Sequence, residues 1–557
     1  MKSIKQLIEP FVYPHMEYFV DLVAKNGDKT EFLGIKVFEQ QKELTQGTLV
    51  EIAVDLYIHY KKNGDPRAEQ TLERVYRFLD IVGKNNCETW GKIGLLRCFT
   101  KLNDAGLLQN IDKNYIDFVR KKTDYFDFFN KEKMDVYPQY ASNYLQLAMA
   151  CAGLREKLGW ENENYSERIK NKLMQLMQNS SEAGWMDEEP PLGRFDRYTF
   201  LVGSELSDSM FFMNSRFPEF ARENLKRSAE CNLFMANNHG DGICYGRSLS
   251  CHGDMATAEI IASALARGLI DEKDIDLAVN YCIKIIEKTL NFWYDKKRKS
   301  FNIWWDGRNT NDYRNSYRVL EVNLDMANHL LGFYENIRIA GLEDYIPKGE
   351  IAEPEKWALK NVKFVDLEKR KFQTAILKRN DKLVMLPFIG AGMWSRASEY
   401  LPVPVINRLV EAAPEGTYPF LTPQATDKQG NILRPVDYYE EIETVEDTDF
   451  VKITVEGKLA FWGENYSKKS SYSYKSEYIF NRNSIKVRFD FNCEAEKIEM
   501  LIGTHEQKVK IEPFGFDSSV QVDTKADYSF ATPHGYITEA KLYTVQSNPT
   551  VGYEITL

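Results

Sequence analysis

The chain has 557 residues, 43% of them hydrophobic and 28% charged, and its 82 Asp and Glu outnumber its 72 Lys and Arg to give a net charge of −10. That length exceeds what one compact core usually holds, so two domains are expected. The acidic balance excludes a general nucleic-acid binder, which needs excess cations to neutralise phosphates, and no run of apolar residues is long enough to predict a transmembrane helix.

The N-terminal stretch "MKSIKQLIEPFVYPHMEYF" has neither the uninterrupted apolar centre nor the small-residue cleavage site of a secretory signal, and a cytoplasmic protein is expected. The eight cysteines are scattered through the chain, mostly within helical patterns, and are expected to be reduced thiols. Up to about residue 340 apolar residues recur at three- and four-residue spacing, as in "LVEIAVDLYIHYKK", "TLERVYRFLDIVGK" and "LAVNYCIKIIEKTLNFWY", which predicts paired helices separated by Gly, Asn and Asp breaks. A loop-bearing motif recurs at Gly184, Gly242 and Ser300, each 58 residues after the last. Such a period suits an α/α array or toroid, because one helical hairpin cannot bury its apolar face alone. After "YIPKGEIAEPEKW" the period changes to two, and "KFQTAILKRNDKLVML", "EYIFNRNSIKVRFDF" and "KLYTVQSNPTVGYEITL" read as antiparallel hairpins. The expected fold class is therefore α+β multidomain, with helical hairpins over residues 1–345 and an antiparallel β domain over 360–557.

Three stretches stand out from these patterns. The first, "HGDGICYGRSLSCHGDMA" from His239 to Ala256, has Cys244 and Cys251 too far apart for the usual zinc-ligand pairs, and no metal site is expected. Its second half reads as a helix begun near Ser250 or Asp254 and stopped by Gly268, while "GDGICYGRS" predicts a tight loop presenting Tyr245 and Arg247 at a helix start. Arg247 there can hold a carboxylate by bidentate hydrogen bonds or pair with a structural Asp. The second, "GWMDEEPPLGRFDRYTFLVGSEL", gathers Trp185, Asp187, Glu188, Glu189, Arg194, Asp196, Arg197 and Tyr198 without helical periodicity. Glycoside hydrolysis needs two carboxylates of opposite protonation, which this segment can supply, whereas elimination from a uronate needs neutralising cations and a base such as Tyr198. The third, "SFNIWWDGRNTNDYRNSYR", carries Trp304 and Trp305, candidates for stacking on a pyranose, of which strand alternation lets only one face a cleft.

In order, "NYLQLAMACAGLREKLG", "GWMDEEPPLGRFDRY" and "YGRSLS" resemble a bacterial toroid-plus-sandwich carbohydrate-active family that includes β-glucuronidases, similar in layout to heparinase II/III-like polysaccharide lyases. The resemblance implies an N-terminal (α/α) toroid followed by a C-terminal β-sandwich, and pocket residues Asn143, Asp187, Asp196, Tyr198 and Arg247. The chain departs from the family pattern with "DEEP" for Asp-Gly-Pro, "FDRY" for Asp-Tyr-Tyr, and Cys251 and His252 where an aromatic and a cation would stand. The expected protein is an exo-glycoside hydrolase of the β-glucuronidase kind acting on an acidic, uronic-acid-containing oligosaccharide without a cofactor. Asp187 and Asp196 would be the carboxylates, Tyr198 and His252 polar support, and Arg247 the holder of the substrate acid. Asn143, Trp185, Arg194, Arg197, Tyr245, Trp304 and Trp305 would line the substrate site. A lyase using Tyr198, and a sugar-binding protein without catalysis, are the alternatives.

Overall fold

The computed structural model describes residues 2–39, 45–84, 88–137, 143–177, 181–187, 193–195, 208–211, 213, 218–246, 249–309, 316–364, 369–390, 400–411, 419–462, 468–505, 509–524, 530–546 and 548–557. Eleven α-helices lie among them: α1 (Ile4–Asn26), α2 (Thr45–Lys62), α3 (Arg67–Lys84), α4 (Thr89–Asp104), α5 (Lys113–Lys122), α6 (Asn143–Lys157), α7 (Tyr165–Met177), α8 (Glu219–Phe234), α9 (Cys251–Ala266), α10 (Ile275–Lys288) and α11 (Val319–Ile339). None of the described helices is long and apolar enough to cross a membrane.

Two kinds of helix alternate along the chain. α3 is amphipathic, burying Ala68, Thr71, Val75, Phe78, Leu79 and Val82 at helical spacing and exposing the face between them, as a helix on the outside of a core does. By contrast α9 buries nearly every residue from Cys251 to Leu265, and α6 nearly every residue from Asn143 to Arg155, so neither has a face to give to water. Packing follows from that difference. α9 lies on α11, α11 on α2, α2 on α4 and α4 on α6, while α1, α3, α8 and α10 pack outside this inner ring. The contact of α11 with α2 joins the last helix to the second, which is the closure of an α/α toroid.

The inner helices run in parallel. Near the start of α2, a Cβ on Gly47 would sit 2.0 Å from the carbonyl oxygen of Gly91 near the start of α4. Trp90 and Tyr144 meet edge to face at 5.8 Å at the starts of α4 and α6, and Asn328 of α11 donates to Glu51 of α2 at 2.9 Å. The positive ends of the inner helix dipoles consequently gather at one end of the ring.

Midway down the ring, α9 and α11 are joined by buried charge. His329 Nδ1 lies 2.7 Å from Glu259 and its Nε2 3.5 Å from Asp325, and His252 Nε2 stands 3.3 Å from the same Asp325 carboxylate. Burial opposes the charge on His329, but Glu259 and Asp325 outweigh it and hold its pKa at about 10. Burial likewise works against the Asp325 carboxylate, and His329 and His252 hold it well below the usual range.

The β part begins with a three-stranded antiparallel sheet, β1 (Ala358–Lys363), β2 (Gln373–Arg379) and β3 (Lys382–Phe388). It continues in β4 (Gln424–Asp427), β5 (Ile432–Arg434), β6 (Tyr439–Glu446), β7 (Phe450–Phe461), β8 (Lys468–Asn481), β9 (Ser484–Asn492), β10 (Ala495–Thr504), β11 (Lys510–Phe514), β12 (Ser518–Val522), β13 (Glu539–Val545) and β14 (Thr550–Thr556). These form an 11-stranded sheet of order β11-β14-β9-β8-β7-β5-β4-β10-β13-β12, with β6 also paired to β7. Its registers are antiparallel, for example Lys452 opposite Ile479 and Tyr478 opposite Val487. The small sheet covers its inner face: Phe388 meets Tyr439 at 5.7 Å and Tyr478 at 5.4 Å, edge to face, which makes two stacked layers.

The toroid and the β part meet at the end where the inner helices begin. All three loops of the 58-residue repeat reach across: Glu182 N–H donates to Lys363 O at 3.3 Å, Tyr245 hydroxyl pairs with Thr374 at 3.0 Å, and Asn309 N–H donates to Thr532 O at 2.9 Å.

Two measurements follow. Gly47→Ala forces its methyl into backbone and should cost about 3 kcal/mol, whereas Gly332→Ala, with open space in α11, should gain up to about 1 kcal/mol; urea midpoints check both. Because His329 has its pKa raised from 6.5 to about 10 in the fold, its stabilising contribution is complete below pH 6.5 and is lost as pH rises through 10. Melting temperatures from pH 6.5 to 10 should fall more steeply for the native chain than for His329→Gln.

Candidate active site at the toroid mouth

The loop from α8 to α9 is shaped by one side chain. Asn237 Oδ1 accepts from the N–H of His239 (3.0 Å) and Asp241 (3.1 Å), while its Nδ2 donates to the carbonyls of Met235 (2.9 Å) and Asp241 (2.8 Å). Gly240 turns the chain at φ 68°, and Gly242 then lies so close to α9 that a Cβ would sit 2.7 Å from Thr257 Oγ1. The Gly242 N–H donates to Asp254 Oδ1 at 2.8 Å in the first turn of α9. The other oxygen of Asp254 accepts from Trp293 Nε1 (2.7 Å) and pairs with Lys288 Nζ (2.8 Å).

Lys288 is buried between two carboxylates, with its second partner, Asp241 Oδ1, at 2.5 Å. Burial disfavours the ammonium, but Asp241 and Asp254 outweigh it and raise its pKa. Burial also disfavours the Asp241 carboxylate, and Lys288 with Arg408 from the β part (3.3 Å) holds it far below the usual range. A π-helical turn over Thr289–Trp293 follows α10 and sets Trp293 against this cluster.

A small crevice of about 10 Å³, room for about one water molecule, opens beside it. Ile243, Cys244, Leu249, Ser250, Asp254 and Trp293 line it from the toroid, and Asn407, Glu411, Pro533 and His534 from the β part. Ser250 sits there at φ 66°, a strained conformation for serine immediately before α9. Glu411 is fully enclosed by donors: His505 Nε2 at 2.9 Å, Thr532 Oγ1 at 2.8 Å, and His534 Nδ1. Burial works against its carboxylate, and His534 and His505 hold it well below the usual range. His505 Nδ1 faces the Tyr536 carbonyl at 3.1 Å, so both nitrogens of that ring meet acceptors. The His534 ring stacks on Phe292 with centroids 5.6 Å apart and lies 5.2 Å from Trp293. Its Nε2 is buried with no hydrogen-bond partner among the described residues.

The residues singled out in the sequence are distributed unevenly around this crevice. Asp187 is buried and its carboxylate accepts from the N–H of Gly193 (2.8 Å) and Arg194 (2.9 Å). Arg194 is wholly buried, donating to Tyr400 hydroxyl at 3.0 Å over the face of that ring, so its guanidinium is spent on the junction. Trp185 is completely buried near Phe364 and Tyr245 completely buried against Thr374, so both serve packing and offer no face to a sugar. Trp304 is 5% exposed and Trp305 half-buried under Arg298, their rings nearly perpendicular, and both stand in a bend after the two-residue strand Ser300–Phe301, so the strand alternation expected of them does not apply. His252 belongs to the charged seam between α9 and α11 and does not line the crevice. Asn143 is buried at the start of α6, and among the described residues its Oδ1 has no hydrogen-bond partner; the Gln46 amide at the start of α2 is in the same state. Asp196, Arg197, Tyr198 and Arg247 lie outside the described residues.

Glu411, His505, His534, Lys288 and Trp293 carry no sequence signature that marks them together. Only the length and irregularity of the stretch 390–416 pointed towards Glu411, and nothing in "ATPHGYI" distinguishes His534 from a turn histidine.

No family model matches the chain, and no curated protein matches it. Among solved structures it is similar to the chondroitin AC lyase of Streptomyces coelicolor A3 in complex with chondroitin sulphate, at 10% identity over 99% of this chain and 79% of that one, with a TM-score of 0.45. It is similar to a Paenibacillus xanthan lyase at 10% identity over 98% of this chain and 57% of that one, with a TM-score of 0.44. It is also similar to the unsaturated glucuronyl hydrolase of Bacillus sp. GL1, at 14% identity over 59% of this chain and 96% of that one, with a TM-score of 0.40.

Proposed function

We propose that the protein is a carbohydrate-active enzyme that takes a uronic-acid-containing oligosaccharide at the mouth of the toroid and cleaves it by β-elimination. The observation that carries the choice of reaction is the state of the carboxylates. Asp241 is paired with Lys288 and Arg408, Asp254 with Lys288 and the Trp293 indole N–H, Glu411 with His505 and His534, and Asp187 accepts two backbone N–H groups. Glycoside hydrolysis needs one carboxyl that keeps its proton. Each of these four instead accepts from cations or hydrogen-bond donors, and those partners hold Asp241 and Glu411 below the usual carboxylate range.

Elimination makes other demands. The uronate must be neutralised so that the proton on the adjacent carbon becomes acidic, and a base must stand ready. Gathered helix N-termini favour an anion at this end of the ring. Arg247 and Arg197 are the cations that the sequence adds. Exo-hydrolysis of the β-glucuronidase kind is the second reading, supported by the acidic run Asp187, Glu188 and Glu189 in the sequence.

Product analysis separates the two. Incubation with uronate-bearing oligosaccharides in ¹⁸O-labelled water should give an unsaturated uronate, seen by its ultraviolet absorbance, with no label at the cleaved linkage. Saturated uronic acid carrying ¹⁸O would establish hydrolysis instead, and unchanged ligand with measurable binding would indicate a sugar-binding protein.

A further inference from the structure

We infer that the β part supplies the proton-transferring group of this site: the imidazole of His534, oriented by Glu411, with Nε2 as the atom that acts on the substrate. The inference builds on the elimination reading and adds to it a catalytic residue from outside the toroid.

The geometry sets the tautomer. A carboxylate can only accept, so the Nδ1 of His534 that meets Glu411 bears the hydrogen and a neutral ring carries its lone pair on Nε2. That nitrogen is buried, and among the described residues it has no partner, in a side chain only 5% exposed that lines the crevice. Buried polar atoms are nearly always satisfied, and one left open beside a crevice calls for a ligand. The ring is also held firmly. Phe292 stacks on it and Trp293 packs against it at a tilt, the His534 N–H donates to Thr532 Oγ1 at 3.2 Å, and Gly535 at φ 134° lets the chain turn immediately after it.

Glu411 is in turn fixed by His505 and Thr532, so the carboxylate cannot rotate away from the ring it orients. Trp293 links the assembly to the toroid, because its indole packs at a tilt against His534 and donates to Asp254 in the first turn of α9. The imidazole is thereby held at the mouth where the inner helices begin.

In the reaction Nε2 takes the proton from C5, next to the uronate carboxylate. The C5–H electron pair becomes the C4=C5 double bond, the C4–O bond breaks with its pair leaving on oxygen, and the imidazolium returns the proton to that oxygen. Glu411 stabilises the imidazolium between the two transfers. Nothing is oxidised or reduced, and no water is consumed.

The test uses the full chain. His534→Ala should lower kcat by about 10²- to 10⁴-fold, the usual contribution of a positioned base, with KM little changed and with activity partly restored by added imidazole. His534→Gln keeps a donor towards Glu411 but no base, and should lose the same activity with the native melting temperature. Glu411→Gln, which removes the positioning group, should lower kcat with KM little changed. The other charges facing the ring are His505 from the β part and Asp241, Asp254, Lys288, Arg308 and Arg408 around it, and these stay in place. Nitrogen-15 NMR of the seven histidines reads the tautomer directly and without turnover, and should find His534 protonated on Nδ1. A kcat within about threefold of native in both His534 variants, or a proton on Nε2 in the neutral ring, overturns the inference. If the products are saturated, the elimination reading fails by itself, and the rate of the His534 variants still decides whether this imidazole moves the proton.

Discussion

A single buried ammonium organises the mouth of the toroid. Lys288, at the end of α10, lies between Asp241 of the preceding loop and Asp254 of α9 with almost no access to water. An isolated charge at such a depth would cost several kcal/mol, so the loop is held wherever it can present Asp241, and α9 and α10 are held wherever Asp254 can reach. Breaking any one of these contacts would strand a charge. The same constraint draws in Trp293, whose indole shares Asp254, and Arg408, which crosses from the β part to Asp241.

The arrangement has a chemical consequence. With cations and backbone amides assigned to the nearby carboxylates, the crevice is left with imidazole as its uncommitted proton-exchanging group among the described residues. Charge that would otherwise accumulate at an acidic cleft is cancelled internally, which leaves the converging helix N-termini free to favour an anionic ligand. The interface between toroid and β part is therefore part of the site. Toroid loops provide the charged floor, and the loop after β3 and the Thr532–Gly535 turn provide the wall bearing Glu411 and His534.

A second charged seam, His252–Asp325–His329–Glu259, performs a different task within the ring. It joins α9 to α11 along faces that otherwise consist of small and aliphatic side chains, and it specifies which faces meet. The adjacency of Cys251 and His252, conspicuous in the sequence, has its explanation here. One side chain packs in the helical core, and the other reaches across to Asp325.

What the sequence determined by itself is what depends on local period and local chemistry. Apolar residues at three- and four-residue spacing were legible as paired helices, the switch to period two marked the antiparallel strands, Gly268 marked the end of α9, and the 58-residue recurrence marked the three loops that reach the β part, whereas the burial of α9 on nearly every face was not legible. Spacing also identified which stretches were too polar for their surroundings. It could not assign roles within them, because Trp185, Arg194 and Tyr245 look as suitable for a ligand as for a core until burial is known, and Asp187 becomes an anchor only when Gly193 and Arg194 fold back on it. Glu411 and His534 are 123 residues apart, and His534 meets Phe292 and Trp293 from the other half of the chain. Contacts of that range leave no trace in a window of ten or twenty residues, since each partner satisfies its own local pattern. Only the docking of the β layers against the toroid mouth brought an imidazole, its orienting carboxylate and a buried lysine pair into one place.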